Sequence, residues 1–367
     1  MNEFMPTIGV EEEYLLLDCE TGSPVSGNRA VARTAERMGL DLQLELSGCQ
    51  VEAATGVHRG VEDLLDELRR LRRDVAAAAK ENRTIALAAG VSPTDPSSVA
   101  LTASDRYRRI GDSFGLLARE EVVCGCHVHV EVPDREVAVQ VSNFLRPWLP
   151  VLLALTANSR VHHTRDTGYA SWRNILWHRW PSAGPPPYFT SGNEYDTHVD
   201  VLLAAGVILD RKMIYWDVRP SISFPTVEVR VSDVPATVTE TALLASLVRG
   251  LVVTAREAVR HNHAAPAVSP ELLRAAYWKA ARTGLDGDSM DPADGGLRPM
   301  AERVRELVEH VGPVLDRCGE RDFVETTIRS VLADGNGAQR QARALARRGR
   351  VDDLVDELAE TTLTGCH

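Results

Sequence analysis

The stretch Val10–Asp18, VEEEYLLLD, decides the fold. Successive side chains of a strand point to opposite faces, so Glu11 and Glu13 share one face. The near-apolar continuation Tyr14–Leu17 implies a mostly buried strand, where free carboxylates are costly unless they meet cations. Three further stretches alternate in the same way: Leu42–Ala53 (LQLELSGCQVEA), Cys126–Val132 (CHVHVEV) and Val227–Val231 (VEVRV). Their polar positions are Gln43, Glu45, Gln50 and Glu52, then His127, His129 and Glu131, then Glu228 and Arg230. An ordinary solvated sheet face would carry Thr, Lys and Ser, and this set has none. If the strands share one sheet, its polar face holds too many carboxylates to stand without countercharge. Oxygen ligands with some imidazole suit Mg²⁺ or Mn²⁺. The pattern points to a metal–nucleotide site.

Leu42–Leu46 and Cys49–Ala53 flank Ser47-Gly48, which reads as a two-residue hairpin turn. That pairing sets Glu45 opposite Gln50 and Gln43 opposite Glu52, with Glu45 and Glu52 diagonal neighbours about 7–8 Å apart. Val61–Arg83 has a helical apolar stripe of Leu64, Leu65, Leu68, Leu71 and Val75. Its basic run Arg69–Arg73 is expected to be a solvated face. Thr84–Val91 reads as a buried strand closed by the Gly90–Pro96 loop. Helices should start after Pro133-Asp134 and after Pro147, the second ending near Asn158. Arg160–Phe189 concentrates Arg, His and Trp and ends in a proline run that cannot extend a helix; functional loops have this character. Tyr215–Ser221 is expected to be a strand aiming Asp217 and Arg219 to one side. From about residue 239 the periodicity is helical, including Leu272–Arg282 and Gln339–Arg348. There is no internal repeat and no Gly/Ser linker, so one domain over 1–367 is expected, strands first and helices packed outside.

The net charge of −11 argues against a nucleic-acid or anionic-membrane surface. The N-terminus MNEFMPTIGVEEEY lacks the basic and apolar regions of a secretory leader. The longest apolar run, Trp148–Ala157, contains Pro150 and is far short of the roughly 20 residues of a spanning helix. Six irregularly spaced cysteines do not form a disulfide framework. A reduced, cytoplasmic protein is expected.

Bland readings compete with the sharp ones. Glu11 and Glu13 could be edge carboxylates that guard against aggregation. Cys124-Gly-Cys126-His127-Val-His129 invites zinc, but the Cys-x-Cys spacing is short for a structural zinc site. Alternation also turns Cys126 away from His127 and His129. Buried cysteines with two imidazoles on the functional face follow. Glu228 and Arg230 could be a surface pair, or a metal ligand beside a phosphoryl contact, for which the planar guanidinium is suited. Arg219 and Arg173 are further candidates for anion contact. Neither a Walker-type loop nor a Rossmann glycine motif is present.

GVEEE at Gly9–Glu13, CHVHV at Cys126–Val130, RDTGYASWR at Arg165–Arg173, WPSAGPPP at Trp180–Pro187, WDVRPS at Trp216–Ser221 and EVRVSDVP at Glu228–Pro235 resemble the type 2 glutamate–cysteine ligases, also described as carboxylate–amine ligases. The likeness runs from Gly9 to about Gly284 and is looser in the C-terminal helices. It implies an α+β fold in which an antiparallel sheet forms a metal-lined funnel backed by helices, as in glutamine synthetase and the guanidino kinases. It implies divalent-metal positions at Glu11, Glu13, Glu45, Glu52, His127 and Glu228, and nucleotide-phosphate contacts at His129 and Arg230. Arg230 and Arg219 become the catalytic cations, and Arg165, Tyr169 and Arg173 substrate contacts. The implied reaction is ATP-dependent amide formation through an acyl phosphate, with Mg²⁺ or Mn²⁺. The implied substrates are an amino-acid carboxylate and an amine, glutamate and cysteine favoured or a close variant with another amine; a homodimer is expected. A phosphotransferase of the same fold and a non-enzymatic metal or nucleotide binder are the alternatives.

Overall fold

A computed structural model describes residues 5–95 and 99–367. Residues 1–4 of the N-terminus and Pro96 at the end of the expected Gly90–Pro96 loop lie outside the described residues. Eleven strands are assigned among the described residues: β1 (Ile8–Asp18), β2 (Leu42–Leu44), β3 (Gln50–Ala54), β4 (Thr84–Leu87), β5 (Gly125–Glu131), β6 (Val161–His162), β7 (Arg165–Asp166), β8 (Val218–Pro220), β9 (Thr226–Asp233), β10 (Asp288–Met290) and β11 (Leu297–Pro299). Seven form one antiparallel sheet in the order β2-β3-β1-β5-β9-β8, with β4 paired to β1. β3 takes one edge of β1, while β5 and β4 take successive stretches of the other. β6–β7 and β10–β11 are separate two-stranded hairpins.

Register brings the alternating stretches onto one face. Glu11 lies opposite His127, Glu13 opposite Glu52, Gln43 opposite Glu52, and Glu228 opposite both His129 and Arg219. The β5–β9 pairing shifts between Cys126 and Val128, so β9 carries an extra residue there. Such bulges re-aim side chains beside functional sites. Here Arg230 reaches the polar face while Val229, Val231 and Ser232 are buried.

The opposite face is apolar apart from Glu12, which is buried against Arg72. Ile8, Val10, Cys126, Val128, Val130, Val227 and Val229 pack against the helices Arg135–Leu145, Leu149–Thr156 and Val238–Arg260. A second core joins Tyr14–Leu17 and Val51 to the helices Asn28–Arg37, Val61–Glu81 and Val351–Thr362. Asp134 and Thr237 cap two of these helices by accepting from Val137 and Glu240 N–H, which satisfies N-terminal donors. The stretches Arg135–Thr156 and Val238–Arg260 are long and apolar enough to cross a membrane by length and composition. Their apolar windows are 78% and 89% buried within the protein, as core helices are.

Three local expectations are corrected. β2 ends at Leu44, so Glu45 is not a ladder partner of Gln50, although Gln43 does pair with Glu52. The Ser47-Gly48 turn is drawn instead toward another segment: Ser47 bridges to Leu101 and Gly48 N–H donates to Ala100 O. A Cβ on Gly48 would lie 2.8 Å from that carbonyl, so the close approach needs glycine. The basic run Arg69–Arg73 is not wholly solvated, since Arg72 is fully buried. The third concerns Tyr215–Ser221, where the strand begins only at Val218. Asp217 precedes it and is buried with Oδ2 3.7 Å from His178 Nε2, whereas Arg219 faces the polar side of the sheet.

Candidate active site

The polar face floors a cavity of about 320 Å³. At its centre the strand periodicity stacks carboxylates and imidazoles into three overlapping trios. These are Glu11/His129/Glu228, Glu11/Glu52/His127 and Glu13/Glu45/Glu52, each with one ligand atom per residue within 4.8 Å of the others. Glu11 is shared by two trios, and so is Glu52. Glu11 Oε2 lies 3.0 Å from His127 Nδ1, and Glu11 Oε1 lies 3.4 Å from His129 Nε2. His127 Nε2 lies 3.8 Å from Glu13 Oε1, and its Nδ1 lies 3.9 Å from Glu52 Oε2. Glu45 joins from the loop after β2, so its place in the cluster is set by the fold of that loop rather than by ladder pairing.

Electrostatics divide the cluster. Burial acts to raise Glu11, but its interactions with the His127 and His129 imidazoles outweigh that and hold the carboxyl below its ordinary range. Burial likewise opposes ionisation of Glu228, and the Arg219 and Arg230 guanidinium charges hold it well below the ordinary value. In the third trio the Arg230 charge gives relief too, but burial and like charge outweigh it. Burial and then the charge of Glu13 push Glu45 up to about 7. Burial, then Glu45, Glu11 and Glu13, push Glu52 well above its ordinary value. Burial and the Arg230 charge lower His127, which keeps the imidazole neutral. A neutral imidazole is the form that ligates metals.

Two further observations fit a divalent metal. His127 Nε2 and His129 Nε2 are buried with no hydrogen-bond partner. Their Nδ1 atoms are engaged, His127 with Glu11 and His129 with Thr226 Oγ1 at 2.8 Å. An imidazole anchored through one nitrogen and open at the other is how metal ligands are oriented. The donor set is carboxylate and imidazole without thiolate, because Cys124 and Cys126 are both buried in the apolar cores on other sides.

Two arginines border the cluster. Arg219 Nε donates to Glu228 Oε2 at 3.0 Å and its Nη2 to Oε1 at 3.3 Å. Arg230 Nη1 donates to the same carboxylate and lies 3.4 Å from His127 Nδ1. Arg173, from the helix Trp172–Trp177, lines the cavity near the start of β5 and is 2% exposed. Its segment is pinned to β9, since Asp233 accepts from Ser159 Oγ at 2.6 Å, Ser171 Oγ at 2.8 Å and Asn158 N–H at 2.8 Å.

Thus Glu11, Glu13, Glu45, Glu52, His127, His129, Glu228, Arg219, Arg230 and Arg173 all line one cavity. Arg165 and Tyr169 do not. Arg165 is exposed on β7, and Tyr169 packs between Trp172 and Trp278 under the Arg282 guanidinium. Glu131 also leaves the face functionally, accepting from Thr7 N–H and Oγ1. Sequence reasoning missed Arg106, Tyr107, Glu121, Lys212 and Tyr215, which line the cavity as well. A signal existed for the first two: Ser104 caps the helix Asp105–Phe114 that carries them. Tyr107 Oη then donates to Leu44 O at 2.8 Å, fastening that helix to the end of β2.

The sequence model of glutamate–cysteine ligase family 2 matches residues 7–357. A Nocardia farcinica protein named for that family, glutamate–cysteine ligase 2-1, is 56% identical over 98% of this chain and 94% of its own length. A Mycolicibacterium smegmatis protein, named as 2-3 of the same type, is 54% identical over 98% of both. The fold is similar to that of the Francisella tularensis glutamate–cysteine ligase solved in complex with AMP. The TM-score is 0.67 at 14% identity, covering 99% of this chain and 89% of that one. It is also similar to the bifunctional glutathione synthetase of Pasteurella multocida, at TM-score 0.70 and 13% identity over 98% of this chain and 52% of that one. The chain belongs to glutamate–cysteine ligase family 2, and with it to the ATP-dependent ligases that form carbon–nitrogen bonds.

Proposed function

We propose that this enzyme uses ATP to activate the side-chain carboxylate of glutamate and joins it to the amine of cysteine. The observation that carries the reading is the convergence of two carboxylate–imidazole trios and one all-carboxylate trio with Arg219 and Arg230 in one cavity.

A carboxylate is a poor electrophile because it would have to expel oxide. Phosphoryl transfer from ATP converts it to an acyl phosphate, and amine attack then expels phosphate. Divalent cations, Mg²⁺ or Mn²⁺, would be held by Glu11, Glu13, Glu45, Glu52, His127 and Glu228 and would offset charge on the phosphate oxygens. His129, which the resemblance assigns to the nucleotide phosphates, can also serve as the third ligand of its trio. Arg230 and Arg219 bring fixed positive charge to where the transferring phosphoryl group develops negative charge. Glu228 preorganises both guanidinium groups, so neither has to be reoriented during the reaction. Trp177 and Trp180 wall the cavity and limit water access to an acyl phosphate.

The proposal treats residues 1–367 as one catalytic domain, since the apolar face of the sheet shares its cores with helices as far as Leu358. It extends to a cytoplasmic location, which six free cysteines suit, and to a homodimer. The test is incubation with ATP, Mg²⁺ and pooled amino acids. Phosphate release that requires two amino acids, with an adduct of glutamate and cysteine by mass spectrometry, is the expected result. A stable phosphorylated product from one substrate would make it a phosphotransferase, and binding without turnover would make it a non-enzymatic binder.

A further inference from the structure

Beyond the metal cluster, where β5 begins, the cavity carries a second set of unsatisfied polar groups. Glu121 is 4% exposed and lines the cavity. Its Oε2 accepts from Arg179 Nη2 at 3.1 Å, while its Oε1 is buried with no hydrogen-bond partner. The Trp180 indole faces the same carboxylate without closing to a hydrogen bond. On the same wall, Arg173 Nε and the indole N–H groups of Trp177 and Trp180 are buried donors without acceptors. Buried polar groups are normally satisfied, and each exception calls for a reason.

The unsatisfied set has a definite chemistry: one anionic acceptor beside one cationic and two neutral donors. Its complement is a ligand with a cationic donor and an anionic acceptor close together, which is the ammonium and carboxylate of an α-amino acid. We infer that Glu121, Arg173, Trp177 and Trp180 form the receptor for the amino-acid head of the carboxylate donor, with Glu121 taking its ammonium. This deepens the ligase reading and rests on it.

Three observations support the assignment. Arg173 lies so closely over Gly125 that a Cβ there would be 2.3 Å from Arg173 Nη2. Gly125 and His127 are two residues apart on β5, which is about 6–7 Å along a strand. A glutamate spans roughly 4–5 Å from its α-carbon to its side-chain carboxylate by ordinary bond lengths. A head held at Arg173 and Glu121 therefore delivers the side-chain carboxylate to the metal cluster and Arg230. Burial, only partly opposed by Arg179, pushes Glu121 up to about 7, so an arriving cation relieves an unfavourable carboxylate.

The test compares L-glutamate with glutarate, which lacks the ammonium. Calorimetric titration of the full-length protein with Mg²⁺ and ADP should show L-glutamate binding about 10- to 100-fold tighter, as expected of one charged hydrogen bond. In turnover, Glu121→Gln should raise KM for glutamate by a similar factor and leave KM for ATP and cysteine unchanged. Its binding of glutarate should stay as in the wild type, which a merely structural defect would not allow. Equal wild-type binding of the two compounds overturns the inference, and needs no variant to fold. A Glu121→Gln effect on KM for cysteine rather than glutamate also overturns it. Discrimination without any ATP-dependent phosphate release would leave the receptor standing and remove the ligase reading.

Discussion

Arg72 Nε donates to Glu12 Oε2 at 3.0 Å on the face of β1 that turns away from the cavity. Glu12 and Glu13 are adjacent in sequence, yet one carboxylate is locked in the core and the other belongs to the carboxylate–imidazole cluster of the cavity. Arg72 also reaches the carbonyls of Pro235, Ala236 and Thr362, and Thr241 Oγ1 donates to Glu12. The pair thereby ties the start of the sheet to the ends of two distant helical segments, directly behind the site.

Removing one partner of this pair leaves an uncompensated buried charge. Arg72→Met should cost about 3–5 kcal/mol in urea unfolding, and the Glu12→Gln/Arg72→Met double variant should recover part of it. A single-variant loss below the double-variant loss would show that Glu12 does not depend on Arg72.

The same pair gives a pH signature. Burial opposes ionisation of Glu12, but the Arg72 charge and hydrogen bonds hold it below the ordinary carboxylate range. A carboxyl lowered in the folded state contributes stability that is complete above its unfolded value of about 4.3. That contribution is lost as pH falls through the lowered folded value. Urea midpoints of the wild type should fall below about pH 4. In Arg72→Met the unpaired Glu12 is instead raised by burial, so between pH 8 and 5 that variant should gain stability relative to wild type.

Metal binding should be coupled to protons. With Glu45 pushed up to about 7 and Glu52 raised well above its ordinary value in the metal-free protein, a cation must displace protons to use them. Mn²⁺ affinity should therefore weaken as pH falls through 7. Titration calorimetry at pH 6.5 in two buffers of different ionisation heat should reveal proton release. Chelation should abolish turnover, and full activity in EDTA would exclude the mechanism.

Arg230→Ala should lower kcat by roughly 10²–10³, as loss of one preorganised donor does. Glu228 keeps its two hydrogen bonds from Arg219, so the stability loss should be well below that of Arg72→Met. Wild-type kcat in this variant would remove Arg230 from the reaction.

Gly125→Ala tests whether Arg173 must lie where it does. The new Cβ would meet Arg173 Nη2 at 2.3 Å and Cζ at 2.9 Å, so the guanidinium has to move. KM for glutamate should rise while the melting temperature changes little. Unchanged kinetics would show that the position of Arg173 is not needed.

Period-two alternation is a local property of strands. Glu11, Glu13, Gln43, Glu52, His127, His129, Glu228 and Arg230 could therefore be placed on one face from the sequence by itself. The core-side position of Cys126 followed from the same rule. Tertiary structure alone decided the rest. Glu12 and Arg72 are 60 residues apart, and an arginine in a basic run looks solvated until a partner across the core is known. Glu45 enters the cluster through a loop shaped by Ala100 and Leu101. Glu121 sits in no alternating stretch and gains its setting from Arg179 and Trp180, which arrive from a later segment. Alternation fixes which way a side chain points, but burial and charge partners depend on what the rest of the chain brings against it.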